Sequence, residues 1–325
     1  MSDFCFAHLT PECILDAIES TGIYPESGLL PLNSYENRVF QFRADDNQRY
    51  VVKFYRPARW SEAQILEEHT FMAQLAAADI AVVAPLSING KTLHQHMGFG
   101  FALFPSVGGR SFEVDNLDNL ELLGQVLGRL HSQGAQSAFT HRPALNLSTH
   151  LQQPTQILQQ SGLVKAPYQQ QFFQIVKEIT EICGSLYQPK AQIRLHGDCH
   201  AGNILATTDG LCLVDFDDCR QGPAIQDLWM MLSGDTQSRQ VQLDALLSGY
   251  ELYRAFDLKE LALIEPLRAM RMIHYMAWLA ERHQDPAFVG NFSWFATDKY
   301  WEQQLGYLQE QLLALQAPPL SLAFG

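Results

Sequence analysis

Three polar residues near the middle of the chain have the types and the spacing that phosphoryl transfer requires. Asn203 follows Asp198 by five residues in the segment HGDCHAGN, and Asp215 lies twelve residues beyond Asn203. The spacing H-x-D-x-x-x-x-N occurs in catalytic loops in which the aspartate accepts a hydroxyl proton and the asparagine binds Mg²⁺. The spacing alone is a weak signal, because short patterns also arise by chance.

The residues between Asn203 and Asp215 have the pattern of a β-hairpin. Two short apolar segments flank the turn 208–210, which ends in glycine and is typical of a three-residue loop. Pairing around such a loop would place Asn203 directly opposite Asp215, with Cβ atoms about 4.5–5.5 Å apart. Two oxygen ligands at that separation can share one Mg²⁺ with water and phosphate oxygens. The alternative is that these are ordinary polar residues at the open end of a hairpin. The convergence of Asp198, Asn203 and Asp215 argues against it.

The composition is that of a globular protein with a sizeable core. Of the 325 residues, 47% are hydrophobic and 18% are charged, and the formal net charge is −13. Nucleic acid and anionic membrane are therefore not expected as main partners, since both attract basic surfaces, whereas a cationic or neutral substrate is easier to accommodate. We see no secretory signal and no apolar run of about 18 residues. We expect a cytoplasmic monomer.

The six cysteines have no disulfide-framework spacing, which favours reduced thiols in the cytosol. Three of them could be imagined with two histidines as a zinc cluster made of His196, Cys199, His200, Cys212 and Cys219. Their spacing matches neither a C-x₂-C pair nor a two-histidine helix motif. Small, partly buried thiols are the better interpretation.

The chain changes character near residue 105, with strand patterns and one helix before it and mainly helical patterns after it. We predict an α+β fold of two unequal lobes, a nucleotide-binding lobe at 1–105 and a catalytic and substrate lobe at 106–325. The elements predicted in the first lobe are a hairpin at 38–43 and 49–55, a helix from Ser61 to about Ala78 with a Ser61–Gln64 capping box, a strand at 80–86 and a hairpin over 92–104. The helices predicted in the second lobe lie at 117–133, 167–187, 225–233, 237–254, 258–282 and 298–314.

Positive charge for the transferring phosphates is offered by Lys53, on the second strand of the first hairpin. By alternation Lys53 shares a face with Val51 and Tyr55, so it projects from a half-buried sheet. It is either a solvated charge or a nucleotide contact, and the polar residues at 198–215 favour the nucleotide role. The following helix offers Glu67 and Glu68 as the carboxylate that orients Lys53. Since Glu68 lies on the core-facing side, we predict Glu68 as the partner and Glu67 as its solvated neighbour.

The turn at 32–39, before the first hairpin, is polar and contains no glycine. A glycine-rich phosphate loop is therefore missing from this position. Phosphate contacts would have to come from backbone N–H groups and from the Ser34 hydroxyl. A plain surface turn is the open alternative, since no spacing rule identifies this segment.

Several motifs give the chain a family resemblance. HGDCHAGNIL followed by LVDFDD resembles the signature of the aminoglycoside phosphotransferase and choline kinase superfamily, which has a bilobal protein-kinase-like fold. The resemblance covers essentially the whole chain. NSYENRV, VVKFYRP, FPSVGGR and GPAIQDLWM are similar to a bacterial branch of this superfamily described as cytoplasmic serine/threonine protein kinases of the stress response.

The resemblance implies a phosphotransferase that uses ATP and Mg²⁺. The residues that it implies for the chemistry are Asp198 as proton acceptor and Asn203 and Asp215 as Mg²⁺ ligands. The residues that it implies for ATP binding are Ser34, Lys53 and Glu68, with Glu68 as the partner of Lys53. Asp227 would be a structural carboxylate that supports the loop.

The chain departs from eukaryotic protein kinases in its regulatory residues. Gly197 replaces the arginine of H-R-D, Asp217 replaces the glycine that follows Asp-Phe, and no A-P-E follows. We therefore do not expect regulation through a phosphorylated activation loop.

The acceptor hydroxyl is the open question. Our primary interpretation is a Ser or Thr of a protein, and the rival is a small-molecule alcohol such as choline, homoserine or an aminoglycoside. Asp217 and Asp218 would suit a cation or a basic peptide alike. A cation-binding cage is conceivable among aromatic residues that at helical spacing are more often core, namely Trp229, Tyr275, Trp278, Trp294 and Trp301. A pseudokinase regulator is disfavoured, because the residues expected for nucleotide and metal chemistry are all present, namely Lys53, Asp198, Asn203 and Asp215.

Overall fold

The structure, a computed structural model, describes residues 6–323, so Cys5 lies outside the described residues. Its strands are β1 (Leu30–Pro31), β2 (Arg38–Arg43), β3 (Arg49–Phe54), β4 (His94–His96), β5 (Phe99–Pro105), β6 (Arg110–Ser111), β7 (Ile193–Leu195), β8 (Ile204–Thr207), β9 (Gly210–Leu213) and β10 (Arg220–Gly222). Its α-helices are α1 (Pro11–Glu19), α2 (Glu62–Ala77), α3 (Leu117–Gly134), α4 (Gln153–Ser161), α5 (Ala166–Leu186), α6 (Thr236–Tyr250), α7 (Ile264–Arg282), α8 (Pro286–Asn291) and α9 (Asp298–Gln316).

The strands β1 to β5 form one antiparallel sheet in the order β1-β2-β3-β5-β4. The two predicted hairpins are confirmed as β2–β3 and β4–β5. Side chains alternate across β3, so that Val52 and Phe54 pack in one core cluster with residues of α1. Lys53 projects from the opposite face, where α2 lies. The sheet thus presents a lysine to the interior of the molecule.

The helix α2 begins as the sequence predicts. The N–H of Gln64 donates to Ser61 Oγ (3.3 Å), and the N–H of Ser61 donates to Gln64 Oε1 (2.9 Å), which completes the capping box. The helix α1 is an addition to the predicted elements, although its start signals are present in the sequence: Thr10 caps it and Pro11 occupies its first turn.

The strand predicted at 80–86 is wrong. This segment forms no ladder of its own: a parallel bridge links Val82 to Leu213 of β9, and the N–H of Leu86 donates to the Leu103 carbonyl oxygen of β5 (2.7 Å). Pro85 cannot donate a ladder hydrogen bond, which limits pairing along the segment.

Four of the helices predicted after residue 105 are confirmed as α3, α5, α6 and α9. The helix predicted at 225–233 is wrong, because two 3₁₀ turns, Ala224–Asp227 and Trp229–Met231, occupy this segment. The helix predicted at 258–282 is interrupted, with a 3₁₀ segment at Leu258–Leu263 before α7. Pro266 explains the late start of α7, since proline is tolerated only in the first turn of a helix.

Glycines allow α3 and α6 to touch along their backbones. A Cβ on Gly124 would lie 2.0 Å from the Leu246 carbonyl oxygen, and one on Gly249 would lie 1.9 Å from the Glu121 carbonyl oxygen. Any larger residue at these positions would push the two helices apart.

The hairpin that carries the polar residues has a different register from the predicted one. β8 and β9 pair Thr207 with Gly210, so the loop holds two residues instead of three. The Thr207 hydroxyl closes this tighter turn by donating to the Gly210 carbonyl oxygen (2.9 Å). Val214 therefore lies opposite Asn203 and donates its N–H to the Asn203 carbonyl oxygen (3.0 Å). The predicted direct opposition of Asn203 and Asp215 is wrong.

This architecture confirms the predicted α+β fold, with a small antiparallel sheet packed against a larger, mainly helical part. Both parts contribute to the largest core cluster, which includes Phe71 and Leu75 of α2 and Leu127 of α3. Within residues 6–323, no helix is both long enough and apolar enough to cross a membrane.

Candidate active site

Two cavities meet between the five-stranded sheet and the β8–β9 hairpin. The first, which we call the apolar cavity, has a volume of about 420 Å³ and is lined by residues that include Val39, Val51, Lys53, Glu68, Phe104 and Leu205. The second, which we call the polar cavity, has a volume of about 550 Å³ and is lined by residues that include Arg59, Asp198, Asp218, Arg220, Arg271 and Trp278. The wall common to both cavities contains Asn33, Ser34, Asn37, Gly202, Asn203 and Asp215.

The loop that carries Asp198 is held in place by Asp227. The fully buried Asp227 carboxylate accepts hydrogen bonds from the backbone N–H groups of His196 and Gly197, both at 2.8 Å. Gly197 has a φ of +86°, and a Cβ there would lie 2.2 Å from the Asp218 carbonyl oxygen. The position where eukaryotic protein kinases carry arginine therefore has room only for glycine. These contacts confirm the expected structural role of Asp227.

Two side chains bind the Asp198 carboxylate. Arg271 Nη1 donates to Asp198 Oδ1 at 2.5 Å, and His200 Nε2 lies 3.5 Å from Asp198 Oδ2. His200 Nδ1 accepts the Gly202 N–H, so a neutral His200 presents Nε2–H to Asp198. Burial would raise the pKa of Asp198, but His200 and Arg271 more than offset this and hold the pKa below its ordinary value. Asp198 is therefore ionised at neutral pH.

Asn203 and Asp215 reach the common wall by different routes. Asn203 Nδ2 donates to the Asp198 carbonyl oxygen (3.0 Å), which leaves the amide oxygen of Asn203 to face a ligand. Asp215, two residues after the end of β9, adopts a left-handed backbone conformation (φ +60°). Its side chain is 52% exposed, and its Oδ1 accepts a hydrogen bond from Lys53 Nζ (3.1 Å). No pattern in the sequence predicts the left-handed backbone conformation of Asp215.

Lys53 is buried among three carboxylates. Its Nζ lies 3.0 Å from Asp217 Oδ1, 3.1 Å from Asp215 Oδ1 and 3.8 Å from Glu68 Oε1. Glu68 is thus within ion-pair distance, as the sequence suggested, but Asp217 and Asp215 are closer. Burial would lower the pKa of Lys53, but Asp217, Asp215 and Glu68 raise it well above its ordinary value. Lys53 is therefore a permanent cation on the wall of the apolar cavity.

The prediction that Glu67 is merely solvated is wrong. Its carboxylate accepts the backbone N–H groups of Thr140, His141 and Arg142, the last at 2.7 Å. This anchors Arg142, whose guanidinium pairs with Glu68 inside the protein. Burial raises the pKa of Glu68 to about 7, because Arg142 and Lys53 offset only part of the desolvation. No local pattern indicates Arg142, which lies 74 residues from Glu68 in the chain.

Asp217 and Asp218, which in sequence would suit a cation or a basic peptide alike, both pair with arginines inside the protein. Asp217 Oδ2 lies 2.5 Å from Arg59 Nη1, and the side chain of Asp217 is only 5% exposed. Asp218 accepts hydrogen bonds from Arg59 (3.1 Å) and from Arg220 (2.7 Å). Both carboxylates are already paired with arginines of the same chain.

The segment 33–37, which contains Ser34, is not a plain surface turn. Glu36 accepts hydrogen bonds from Trp278 Nε1 (3.1 Å) and Arg282 Nη2 (2.8 Å), both on α7. The Tyr35 hydroxyl donates to Asp285 Oδ2 (3.0 Å). These bonds hold the segment against the C-terminal helices and keep Ser34 on the wall common to both cavities.

The five aromatic residues considered for a cation cage do not come together. Trp229 and Trp301 are buried core residues, which confirms the core interpretation for these two. Tyr275 and Trp278 stack at 5.7 Å and line the polar cavity. The cation over the Trp278 ring is the guanidinium of Arg282, 4.6 Å from the ring centroid. Trp294 packs on Tyr300 and is partly exposed.

The donor set at the common wall fits a Mg²⁺ ion shared with phosphate. Asn203 and Asp215 offer hard oxygen ligands, and Mg²⁺ in nucleotide sites takes one or two protein oxygens together with water and phosphate. Among residues 6–323, no group of three or more His, Cys, Asp and Glu side chains could hold a metal ion. The five described cysteines are free and buried.

Comparison with known proteins places this site in a family. The sequence model of the phosphotransferase enzyme family matches residues 28–264. Stress response kinase A of Escherichia coli K12 is 48% identical over 322 residues, which cover 99% of this chain and 98% of that protein. Serine/threonine protein kinase RdoA of Salmonella typhimurium is 48% identical over 320 residues, which cover 98% and 97% of the two chains.

Solved structures show the same fold at low sequence identity. Amicoumacin kinase hAmiN, in complex with AMP-PNP and Ca²⁺, has a TM-score of 0.73 and 18% identity, with 95% of this chain and 94% of that chain covered. Spectinomycin phosphotransferase has a TM-score of 0.67 and 13% identity, with 95% and 98% covered. By its sequence model and its close relatives, the chain belongs to the phosphotransferase enzyme family.

Proposed function

We propose that this protein is a kinase that transfers the γ-phosphoryl group of ATP to a Ser or Thr hydroxyl of a protein during the stress response. The observation that carries the proposal is the common wall, where Asn203 and Asp215 lie between a cavity suited to a nucleotide and a cavity that contains Asp198. The protein acceptor and the stress role are supported by the 48% identity to relatives with those names.

Each residue at the wall has a distinct task in this proposal. The apolar cavity binds the adenine between aliphatic and aromatic side chains, and Lys53 neutralises the phosphates at its mouth. Asp198, ionised by its surroundings, accepts the hydrogen bond of the acceptor hydroxyl and orients it toward the phosphorus. Ser34 contacts the phosphates from the segment 33–37, and Glu68 supports Lys53 from behind.

Asn203 and Asp215 would hold Mg²⁺. The ion, when bound, supplies charge neutralisation for the phosphate oxygens. We further propose a cytoplasmic monomer. The free thiols of the described cysteines suit a reducing compartment, and both cavities are built from a single chain.

The test is to incubate the purified protein with ATP labelled at the γ-phosphate and a desalted cell lysate, in the presence and absence of Mg²⁺. Label in protein bands that contain phosphoserine or phosphothreonine supports the proposal. Label confined to small metabolites would replace it by the rival, a kinase of small-molecule alcohols. The matched control is Asp198→Asn, which removes the proton acceptor and should leave both fractions unlabelled.

A further inference from the structure

The charged side chains that line the polar cavity differ in how far they are already paired within the chain. The carboxylates of the cavity each lie within ion-pair distance of a lysine or arginine of the same chain, and they are Glu36, Asp198, Asp215, Asp217 and Asp218. A cationic acceptor group would have to compete with one of these internal partners, most weakly at Asp215, whose side chain is 52% exposed.

The cations of the cavity differ in their exposure. The side chains of Arg59 and Arg220 are 17% and 11% exposed, and each is engaged with Asp218. The side chain of Arg271 is 44% exposed. A guanidinium has five N–H donors, and the bond to Asp198 uses only its Nη1 group. Arg271 is thus the cation of this cavity best placed to meet a ligand.

The two histidines beside these arginines add no positive charge. His150 and His274 stack at 5.0 Å, and His150 contacts Arg220. Burial, together with the charge of Arg220, lowers the pKa of His150 to about 2 and that of His274 to about 4. Both rings are neutral at physiological pH, and Arg271 is the most exposed arginine of the cavity.

Arg271 lies close to the place where the acceptor hydroxyl would bind, because both contact the Asp198 carboxylate. A hydroxyl bound to Asp198 lies about 2.6–3.2 Å from the carboxylate, and Arg271 Nη1 lies 2.5 Å from the same carboxylate. An anionic group on Arg271 would therefore sit about one or two residues from the phosphorylated residue in an extended peptide, given about 3.3 Å per residue. Tyr275 and Trp278 continue the same face of α7 beyond Arg271 and supply an aromatic surface for the peptide.

We propose that Arg271 determines acceptor specificity by binding a carboxylate next to the phosphorylated Ser or Thr, so that the preferred substrate is an acidic segment of a protein. This inference rests on the proposed function. When the acidic group of the substrate binds the guanidinium of Arg271, the bond between Arg271 and Asp198 weakens. The Asp198 carboxylate is then free to accept the hydrogen bond of the acceptor hydroxyl. Acidic flanks should consequently increase kcat as well as lower KM.

The experiment compares two peptides that differ only in having glutamate or lysine at the positions on both sides of a single serine. The wild-type protein should phosphorylate the glutamate peptide with a kcat/KM about 10-fold higher, as expected for one charge-assisted hydrogen-bonded contact. Arg271→Gln should bring the ratio close to one, and Arg271→Glu should invert it. The ratio is measured within each variant, so a general loss of activity cancels.

Lys177→Glu is the matched control, because it changes the net charge by the same two units on the exposed face of α5 and should retain the wild-type ratio. Phosphorylation of both peptides with a ratio that Arg271→Gln and Arg271→Glu leave unchanged would overturn the inference and leave the proposed function standing. Label that enters neither peptide, nor any protein of a lysate, but only metabolites would overturn both.

Discussion

The apolar and the polar cavity share a wall that includes Asn203 and Asp215, but the rest of each cavity is lined by different kinds of residues. Aliphatic and aromatic side chains of the sheet and of β8 line the apolar cavity, and its charge is concentrated in Lys53 and the buried carboxylates behind it. The polar cavity is lined by arginines and carboxylates bound to one another. In our proposals the first surface binds the adenine nucleotide, and the second selects the acceptor through the exposed Arg271.

The largest effect is expected at the wall that both cavities share. Asp215→Asn should reduce phosphoryl transfer by at least about 1,000-fold, because it removes the charge that would hold Mg²⁺ against the phosphates. Asparagine tolerates the left-handed backbone at this position, so the thermal midpoint should stay near that of the wild type. Transfer is measured with labelled ATP over a range of Mg²⁺ concentrations. Turnover close to wild type would contradict the assignment of Asp215 as a metal ligand.

The second prediction separates the two cavities. Asp198 lines the polar cavity and is absent from the lining of the apolar one. Asp198→Asn should lower kcat about 100-fold or more, since general-base catalysis contributes that much, while the Kd for ATP changes little. Calorimetry gives the Kd, and transfer to protein gives kcat. Loss of nucleotide binding in this variant would show that Asp198 has a structural role that reaches both cavities.

The third prediction concerns Lys53, which lines the apolar cavity. Lys53→Met should weaken ATP binding about 10- to 100-fold, the usual range for the loss of one hydrogen bond to a charged group. It also leaves Glu68 and Asp217 with fewer cations, so the thermal midpoint should fall. Lys91→Met, at an exposed position, is the control for the loss of a lysine. An unchanged Kd for ATP would remove Lys53 from the phosphate site.

The smallest effect concerns the buried polar residues behind the apolar cavity. Burial, with the charges of Lys53 and Arg142, lowers the pKa of His69 to about 3. The unfolded chain takes up a proton at this histidine below about pH 6.5 and the folded protein does not, so stability is lost as the pH falls from about 6.5 toward 3. The loss should be up to about 1.4 kcal/mol per pH unit.

His69→Gln should reduce this slope, because glutamine retains groups that can bond the Tyr55 and Thr92 hydroxyls but does not titrate. Urea unfolding at pH 7, 6 and 5 measures the slope. His8→Gln, at an exposed position, should leave it unchanged. Equal slopes in His69→Gln and the wild type would show that His69 is not held neutral by its surroundings.

Much of the fold was predictable because it depends on local patterns. Alternation identified the β2–β3 hairpin and the inward face that carries Lys53, and the capping box identified the start of α2. Local patterns failed where long-range contacts decide the conformation. The segment 225–233 has a helical pattern but forms 3₁₀ turns, and the Asp227 within it bonds to the backbone N–H groups of His196 and Gly197.

The candidate residues for phosphoryl transfer could be identified without a structure, since the spacing of Asp198, Asn203 and Asp215 is a property of one short segment. Their surroundings depend on how the chain folds. The tertiary structure pairs Asp217 and Asp218 with arginines and places Arg271, 73 residues away in the chain, beside Asp198. The reason is physical: spacing in sequence constrains neighbours along a strand or helix, whereas ion pairs across a cavity depend on how distant elements pack.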